Sequence, residues 1–269
     1  MQSTESIQQT TVVARIVASL ADCSRKTTVA EVRIGLGYTA VLLTDGHMGV
    51  AYTFCREARG GCTVFERLRP LSGRPARDLL PLLDSADPIE AGVGLACANA
   101  LANRPNAEFI EGDILQHLDV GPKDRVGMVG NFVPLVAPLK KRCRSLTIFE
   151  KVETVHGDFR PSQEAAELLP QCQVALITAT SIINHSLDTL LAAAGNCRAV
   201  VLLGASTPLL PGAFSALGVT ALSGVVVKDP QRIMRVVSEG GGMRFFKPYV
   251  SKVSLPTANI RKATGRRKQ

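Results

Sequence analysis

The chain predicts an α/β protein in two parts, a β-meander with helices followed by a Rossmann-like parallel sheet. Three observations lead there. The segments Asp124-Arg-Val-Gly-Met-Val-Gly-Asn-Phe and Ser145-Leu-Thr-Ile-Phe-Glu150 read as successive strands of a βαβ unit beginning near the middle of the sequence. Beyond residue 110, apolar strand cores alternate with helical periodicity, the pattern of a parallel sheet covered on both faces. Ahead of that point, β-rich runs are punctuated by Gly35, Gly37, Asp45-Gly46 and Gly49, which are hairpin signals.

Taken in order, residues 5 to 22 place Val12, Val13, Ile16, Val17 and Leu20 near the helical period, with Asp22 and Cys23 ending the helix. Strands are expected at Val29 to Gly37, Tyr38 to Thr44 and Gly49 to Phe54. Pro75 opens a short helix to Leu83, and Pro88 opens a second to Leu101 with Ile89, Val93, Ala96 and Ala100 as a narrow apolar stripe. Asn103 to Gly121 connects the halves, with a short helix around Ile114 to Leu118 and the boundary near residue 110. Strand cores follow at Arg125 to Val129, Ser145 to Phe149, Val174 to Thr178, Ala199 to Leu203 and Val219 to Val227. Ser186 is expected to cap a helix stopped by Gly195. Asp229-Pro230 opens another, with Gly240 as its left-handed exit.

A chain of 269 residues is long enough for two cores. No apolar run approaches the roughly 18 residues of a membrane span, and the polar first ten residues mark no export, so a soluble, cytoplasmic protein is expected. The net charge of +8 owes five positive charges to Arg261, Lys262, Arg266, Arg267 and Lys268, a solvated basic terminus rather than a phosphate-binding surface. With 4% aromatic residues and no Trp, the stacking platforms of a single-strand binder are lacking, which argues against a nucleic-acid partner. Seven scattered cysteines, with no Cys-x-x-Cys pair, fit a reducing compartment.

In an open parallel sheet, ligands bind beyond the carboxyl ends of the strands. Reading those ends gives Gly130 and Asn131, then Glu150, then Thr178, Thr180 and Asn184, then Gly204, Ser206 and Thr207. Hydroxyls and amides orient a polar ligand better than they perform acid/base chemistry. Gly127 and Gly130, with a carboxylate about 20 residues on, make up part of a dinucleotide-binding fingerprint. Glu150 would hold a ribose hydroxyl, yet the third glycine is missing and Pro134 and Pro138 crowd the following helix. Glycines that serve only packing are the alternative. Gly240-Gly241-Gly242 either bares amides to an anion or stops a helix. The four histidines are dispersed, and no local His or Cys spacing marks a metal site. His47, Cys55, Cys62 and His156 are the residues from which distant loops would assemble one, while His117 and His185 read as exposed helix-end residues. No Gly-x-Ser-x-Gly elbow, Walker loop or kinase set is present.

One group of segments resembles a known family, the "putative heavy-metal chelation" proteins. They are Gly92-Val-Gly-Leu-Ala-Cys-Ala-Asn99-Ala-Leu, the Asp124 segment, Leu176-Ile-Thr-Ala-Thr-Ser-Ile-Ile-Asn184, Leu203-Gly-Ala-Ser-Thr-Pro-Leu-Leu-Pro211, Leu222-Ser-Gly-Val and Ser238-Glu-Gly-Gly-Gly-Met-Arg. The resemblance, which spans roughly residues 10 to 253, implies residues 1–110 similar to the enolase N-terminal domain and a Rossmann-like domain over 111–255; the basic tail over 256–269, outside it, is expected to be disordered from its composition. It also implies a site between the domains, to which Asn99 and the Gly60-Gly61-Cys62 loop contribute, with Cys62 and His47 as the metal-ligand candidates. The implied function is chelation of a heavy metal, or binding of a metal chelate of the tetrapyrrole or cobalamin kind. The cofactor would be a transition metal or its complex, and the partners a small molecule or metal and, for the chain itself, a homo-oligomer. The competing readings are a Rossmann-type enzyme using a nucleotide or S-adenosylmethionine, and a non-catalytic assembly or regulatory protein.

Overall fold

The computed structural model describes residues 10–58, 61–112 and 114–257. Gly60, the side chain of Cys62 and the basic segment Arg261 to Lys268 lie outside the described residues.

Helix α1 (Val12–Lys26) begins where the Thr11 hydroxyl accepts from Ala14 N, and Val12, Val13, Ile16 and Leu20 share its buried face. It runs past Asp22 and Cys23 because Asp22 is exposed and pairs with Arg25 at 2.9 Å, leaving the apolar stripe unbroken. Strands β1 (Val29–Ile34), β2 (Tyr38–Leu43) and β3 (Met48–Tyr52) form an antiparallel sheet in that order. Helix α2 (Ala76–Leu79) continues as a 3-10 turn to Asp84. Helix α3 (Pro88–Ala102) is capped by Asp87, whose Oδ1 accepts from Ile89 N at 2.8 Å and Glu90 N at 3.3 Å. The expected stripe on α3 is instead burial all round, from Ala91 to Leu101. Its small residues make that possible. A Cβ on Gly94 would overlap the backbone of Leu82 and Leu83, and one on Gly49 of β3 would overlap that of Ala96, Asn99 and Ala100.

The second half contains β4 (Ile110–Glu111), β5 (Arg125–Val129), α4 (Val133–Lys140), β6 (Ser145–Glu150), β7 (Phe159–Pro161), α5 (Ala165–Leu168) and β8 (Val174–Thr178). After these come α6 (Leu187–Ala193), β9 (Ala199–Leu203), α7 (Pro211–Phe214), β10 (Ala221–Val227), α8 (Pro230–Ser238), α9 (Met243–Phe246) and β11 (Val250–Pro256). The strands form an eight-stranded sheet in the order β4-β11-β10-β9-β8-β5-β6-β7. From β7 across to β10 every pairing is parallel, and β11 adds antiparallel to β10. The order reverses between β5 and β8, the topological switch point at which such sheets open a crevice.

Two apolar clusters cover the faces of this sheet. Val126, Met128, Leu176 and Val201 join Leu135 and Leu139 of α4 on one face. On the other, Ala175, Ile177, Val200 and Leu202 belong to the same cluster as Ile16 of α1, Val41 of β2 and Ala96 of α3. One core therefore runs through both halves and holds the helices of the first against the sheet of the second. No described helix is long and apolar enough to cross a membrane.

Candidate functional site

The strand-end residues fall into two sets. The first lies at the switch point. Gly130 has φ +87°, the left-handed region that favours glycine, and a Cβ there would sit 3.1 Å from Thr178 Cβ. Asn131 N donates to Glu150 Oε2 at 3.0 Å and Lys151 N donates to Glu150 Oε1 at 2.9 Å, so both carboxylate oxygens brace the surrounding loops. The hydroxyls of Thr178 and Thr180 are 2.9 Å apart, and the Ser181 hydroxyl donates to Thr178 O at 2.6 Å. The ring of Phe132 lies over this edge, 3.6 Å from a Cβ placed on Gly130 and 3.7 Å from one on Gly204. Gly127, inside β5, serves packing, because a Cβ there would meet Leu169 and Cys172.

The second set lies in the seam between the halves. Ser206 is buried and its hydroxyl accepts from Tyr52 N at 2.9 Å. Asn99 donates from Nδ2 to Val50 O at 2.8 Å. The open edge of β3 is thus closed from both sides, by α3 and by the loop after β9. Asn103, just past α3, donates to Thr207 O at 2.9 Å and to Val225 O at 3.3 Å, and accepts from Leu209 N at 2.8 Å. Asn99 Oδ1 and Thr207 Oγ1 are buried without a hydrogen-bond partner among the described residues. Asn99, Ser206 and Thr207 therefore join the halves and do not line an open surface.

An open crevice of about 420 Å³ lies beside the seam, walled by Phe54, Glu57 and Pro88 from the first half and Lys151, Asn184 and His185 from the second. Lys151 pairs with Glu57 across it, and its ammonium lies 5.2 Å from the centre of the Phe54 ring. Asn184 Oδ1 accepts from Ser186 N at 3.2 Å and from the Ser186 hydroxyl at 2.7 Å. Ser186 stands at the N-cap of α6 as expected, but its hydroxyl donates to Asn184 and accepts from no helix amide. His185 takes φ +56°, a conformation uncommon outside glycine. Its Nε2 is 3.0 Å from Ser85 O of the first half. A carbonyl only accepts, so Nε2 carries the proton, and in the neutral ring Nδ1 keeps a lone pair. His185 also lines a second cavity, of about 530 Å³, with Thr11, Asp84 and Asp188.

Of the metal candidates, His47, Cys55 and His156 fall within the described residues and are not grouped there as a set of three ligands. His47 lies at the turn between β2 and β3, its Nδ1 3.2 Å from Asp45 Oδ1, while Asp45 Oδ2 is 2.9 Å from Arg104. Burial alone would raise the Asp45 carboxyl, but hydrogen bonds from His47 and the charge of Arg104 hold it below the ordinary value. Burial pushes the Cys97 thiol up to about 12 and, with Cys172 beside it, Cys197 to about 11, and it raises Cys143 and Cys172 as well. These sulfurs stay protonated, whereas the metal ligand is the thiolate. Among the described residues, no three His, Cys, Asp or Glu side chains are grouped so as to hold an ion. The cysteine chemistry of Cys62 lies outside them.

Of the alternatives offered for two glycine-bearing turns, the structure takes the one without an anion. Gly240 N donates to Val237 O at 3.0 Å and Gly241 N to Val236 O at 2.8 Å, a Schellman stop that occupies the amides. At the start of α4, Pro134 lacks an amide hydrogen and Leu135 N is bonded to Phe132 O at 2.8 Å, which leaves few donors for a pyrophosphate.

Family models carry this geometry to a lineage. Residues 113–256, more than half of the chain, match a model described as "Putative heavy-metal chelation", and residues 17–102 match a second model of the same description. The chain belongs to this family. An uncharacterised protein of Methanocaldococcus jannaschii is 25% identical over 239 residues, spanning 84% of this chain and 89% of that one. A crystal structure of a family member of unknown function from Pyrococcus horikoshii superposes with TM-score 0.81 at 22% identity, covering 91% of this chain and 100% of that chain. Another from Desulfitobacterium hafniense gives 0.75 at 25% identity, covering 90% and 98%. The family's two-part α/β fold is thus the fold of this chain.

Sequence reasoning passes over Lys151, Phe54, Asn103 and the tie of His185 to Ser85. The last joins residues 100 apart, and no local spacing announces it. The one signal for Lys151 is its position directly after β6, and for His185 its place in the connection between β8 and α6.

Proposed function

We propose that the crevice between the halves, 1–110 and 111–255, binds a metal already held by an organic chelator, a tetrapyrrole-like complex included. The observation that supports this is the composition of its wall. Phe54, Lys151, Asn184 and His185 line the same space beside the carboxylates Glu57 and Asp87, while no set of three ligands for a bare ion is grouped among the described residues. A metal that arrives with most of its ligands needs only one from the protein, and the family's description concerns metals. Lys151, paired with Glu57 and lying over the buried Phe54 ring, offers a cation to the chelator's carboxylates once that pair exchanges, and Asn184 an amide to its polar rim. The nucleotide reading has less support, because both oxygens of Glu150 already accept loop amides.

Calorimetric titration tests the proposal with nickel(II), nickel(II) nitrilotriacetate and iron(III) protoporphyrin IX. At least one complex is expected to saturate at one per chain and to weaken about tenfold on Lys151→Ala, the loss of roughly 1.4 kcal/mol. Bare nickel is expected to show no stoichiometric site. Tight uptake of bare nickel, or saturable binding of neither complex, would overturn it.

A further inference from the structure

We infer that His185 supplies the protein's own bond to the chelated metal, through Nδ1. This rests on the reading of the crevice just given. The ring is oriented from the far side of the seam, where Ser85 O engages Nε2 at 3.0 Å and thereby leaves the lone pair on Nδ1. Metal-bound imidazoles are held in this way, with the second nitrogen donating to a carbonyl or carboxylate that fixes tautomer and direction. Nδ1 has no partner among the described residues, and His185 lines both cavities.

The backbone is equally constrained. His185 N donates to Ile182 O at 3.2 Å, and Ser186 N donates to Ser181 O at 3.0 Å and to Asn184 Oδ1 at 3.2 Å. These bonds hold His185 at φ +56°, a position at which glycine or asparagine would sit with less strain. Strain retained by surrounding bonds clusters at binding sites. Neutral imidazole suits cobalt, nickel, copper, iron and zinc, so the inference commits to a first-row transition metal with a coordination position left open by its chelator.

The conformation also supplies controls that fold. His185→Gly and His185→Asn both tolerate the left-handed backbone, and neither provides an imidazole. The probe is copper(II) nitrilotriacetate, read by pulsed electron paramagnetic resonance, in which the remote nitrogen of a bound imidazole modulates the echo. One complex per chain is expected, with imidazole modulation in the wild type that is absent from both variants, and affinity reduced at least tenfold. His117→Asn and His156→Asn should leave modulation and affinity unchanged. Modulation that persists at full depth in both His185 variants overturns the inference and leaves the chelate reading standing. A wild type that binds neither this complex nor iron(III) protoporphyrin overturns both.

Discussion

Asn103→Ala tests whether the two halves are joined by specific bonds as well as by apolar burial. Asn103 is 4% exposed, so water cannot replace what its side chain provides. The substitution removes the partner of Leu209 N at 2.8 Å, and takes one donor from Thr207 O at 2.9 Å and Val225 O at 3.3 Å. A buried donor left unsatisfied costs about 1–3 kcal/mol, and the carbonyls, each with a second lone pair, lose less. The expected loss is about 3 kcal/mol. Asn103→Leu keeps the volume and should lose nearly as much, which separates the hydrogen bonds from the cavity. Equilibrium urea denaturation followed by far-ultraviolet circular dichroism measures it, with tyrosine fluorescence as the second probe because the chain has no Trp. Tyr38 and Tyr52 report the first half and Tyr249 the second. Since one apolar cluster runs through both halves, the wild-type probes should share a single transition. A loss under about 1 kcal/mol for both variants would refute the reasoning.

Other outcomes follow from the same geometry. Gly49→Ala places a Cβ inside the backbone of α3, so β3 and α3 must separate; a loss of about 3 kcal/mol or more is expected in the same urea assay, and an unchanged midpoint would contradict the close packing. The Asp45 carboxyl is held below its ordinary value in the folded chain. Its stabilising contribution is therefore present above the unfolded value of about 3.9 and is lost as pH falls through the folded one. Asp45→Asn should accordingly flatten the fall in stability below about pH 4, seen in melting temperatures across that range. Among the described cysteines, iodoacetamide followed by mass spectrometry should label exposed Cys55 first, whereas Cys97, buried with its thiol pushed up to about 12, should react only after unfolding.

The sheet of the second half is legible because buried parallel strands read as uninterrupted apolar runs. Strands β5, β8 and β9 begin and end where Arg125 to Val129, Val174 to Thr178 and Ala199 to Leu203 predict. Strand β10 starts at Ala221, two residues later than expected, because the Thr220 hydroxyl bonds Val200 N and O and so ends the preceding loop. Strand β11 escapes the sequence pattern. Ser251, Lys252 and Ser254 break its apolar run, and its pairing with β10 depends on a chain reversal through α8 and α9. In α3, the stripe understates burial because periodicity sees one helix, while β3, α1 and the turn before Asp84 pack around the others. Within the site, polar loops past the strand ends are legible from strand order. Which of those side chains face solvent is not, since burial of Ser206 and Thr207 follows from docking of the first half.

The location of the chelated metal is the most direct test of the account. Crystals grown with nickel(II) nitrilotriacetate, and with iron(III) protoporphyrin, allow anomalous scattering to place the metal without assumption. The account predicts one strong anomalous peak in the crevice bounded by Phe54, Lys151 and Asn184, within bonding distance of His185 Nδ1. A sole peak at His47, or at a surface histidine away from the crevice, with Lys151 and Phe54 untouched, would contradict it.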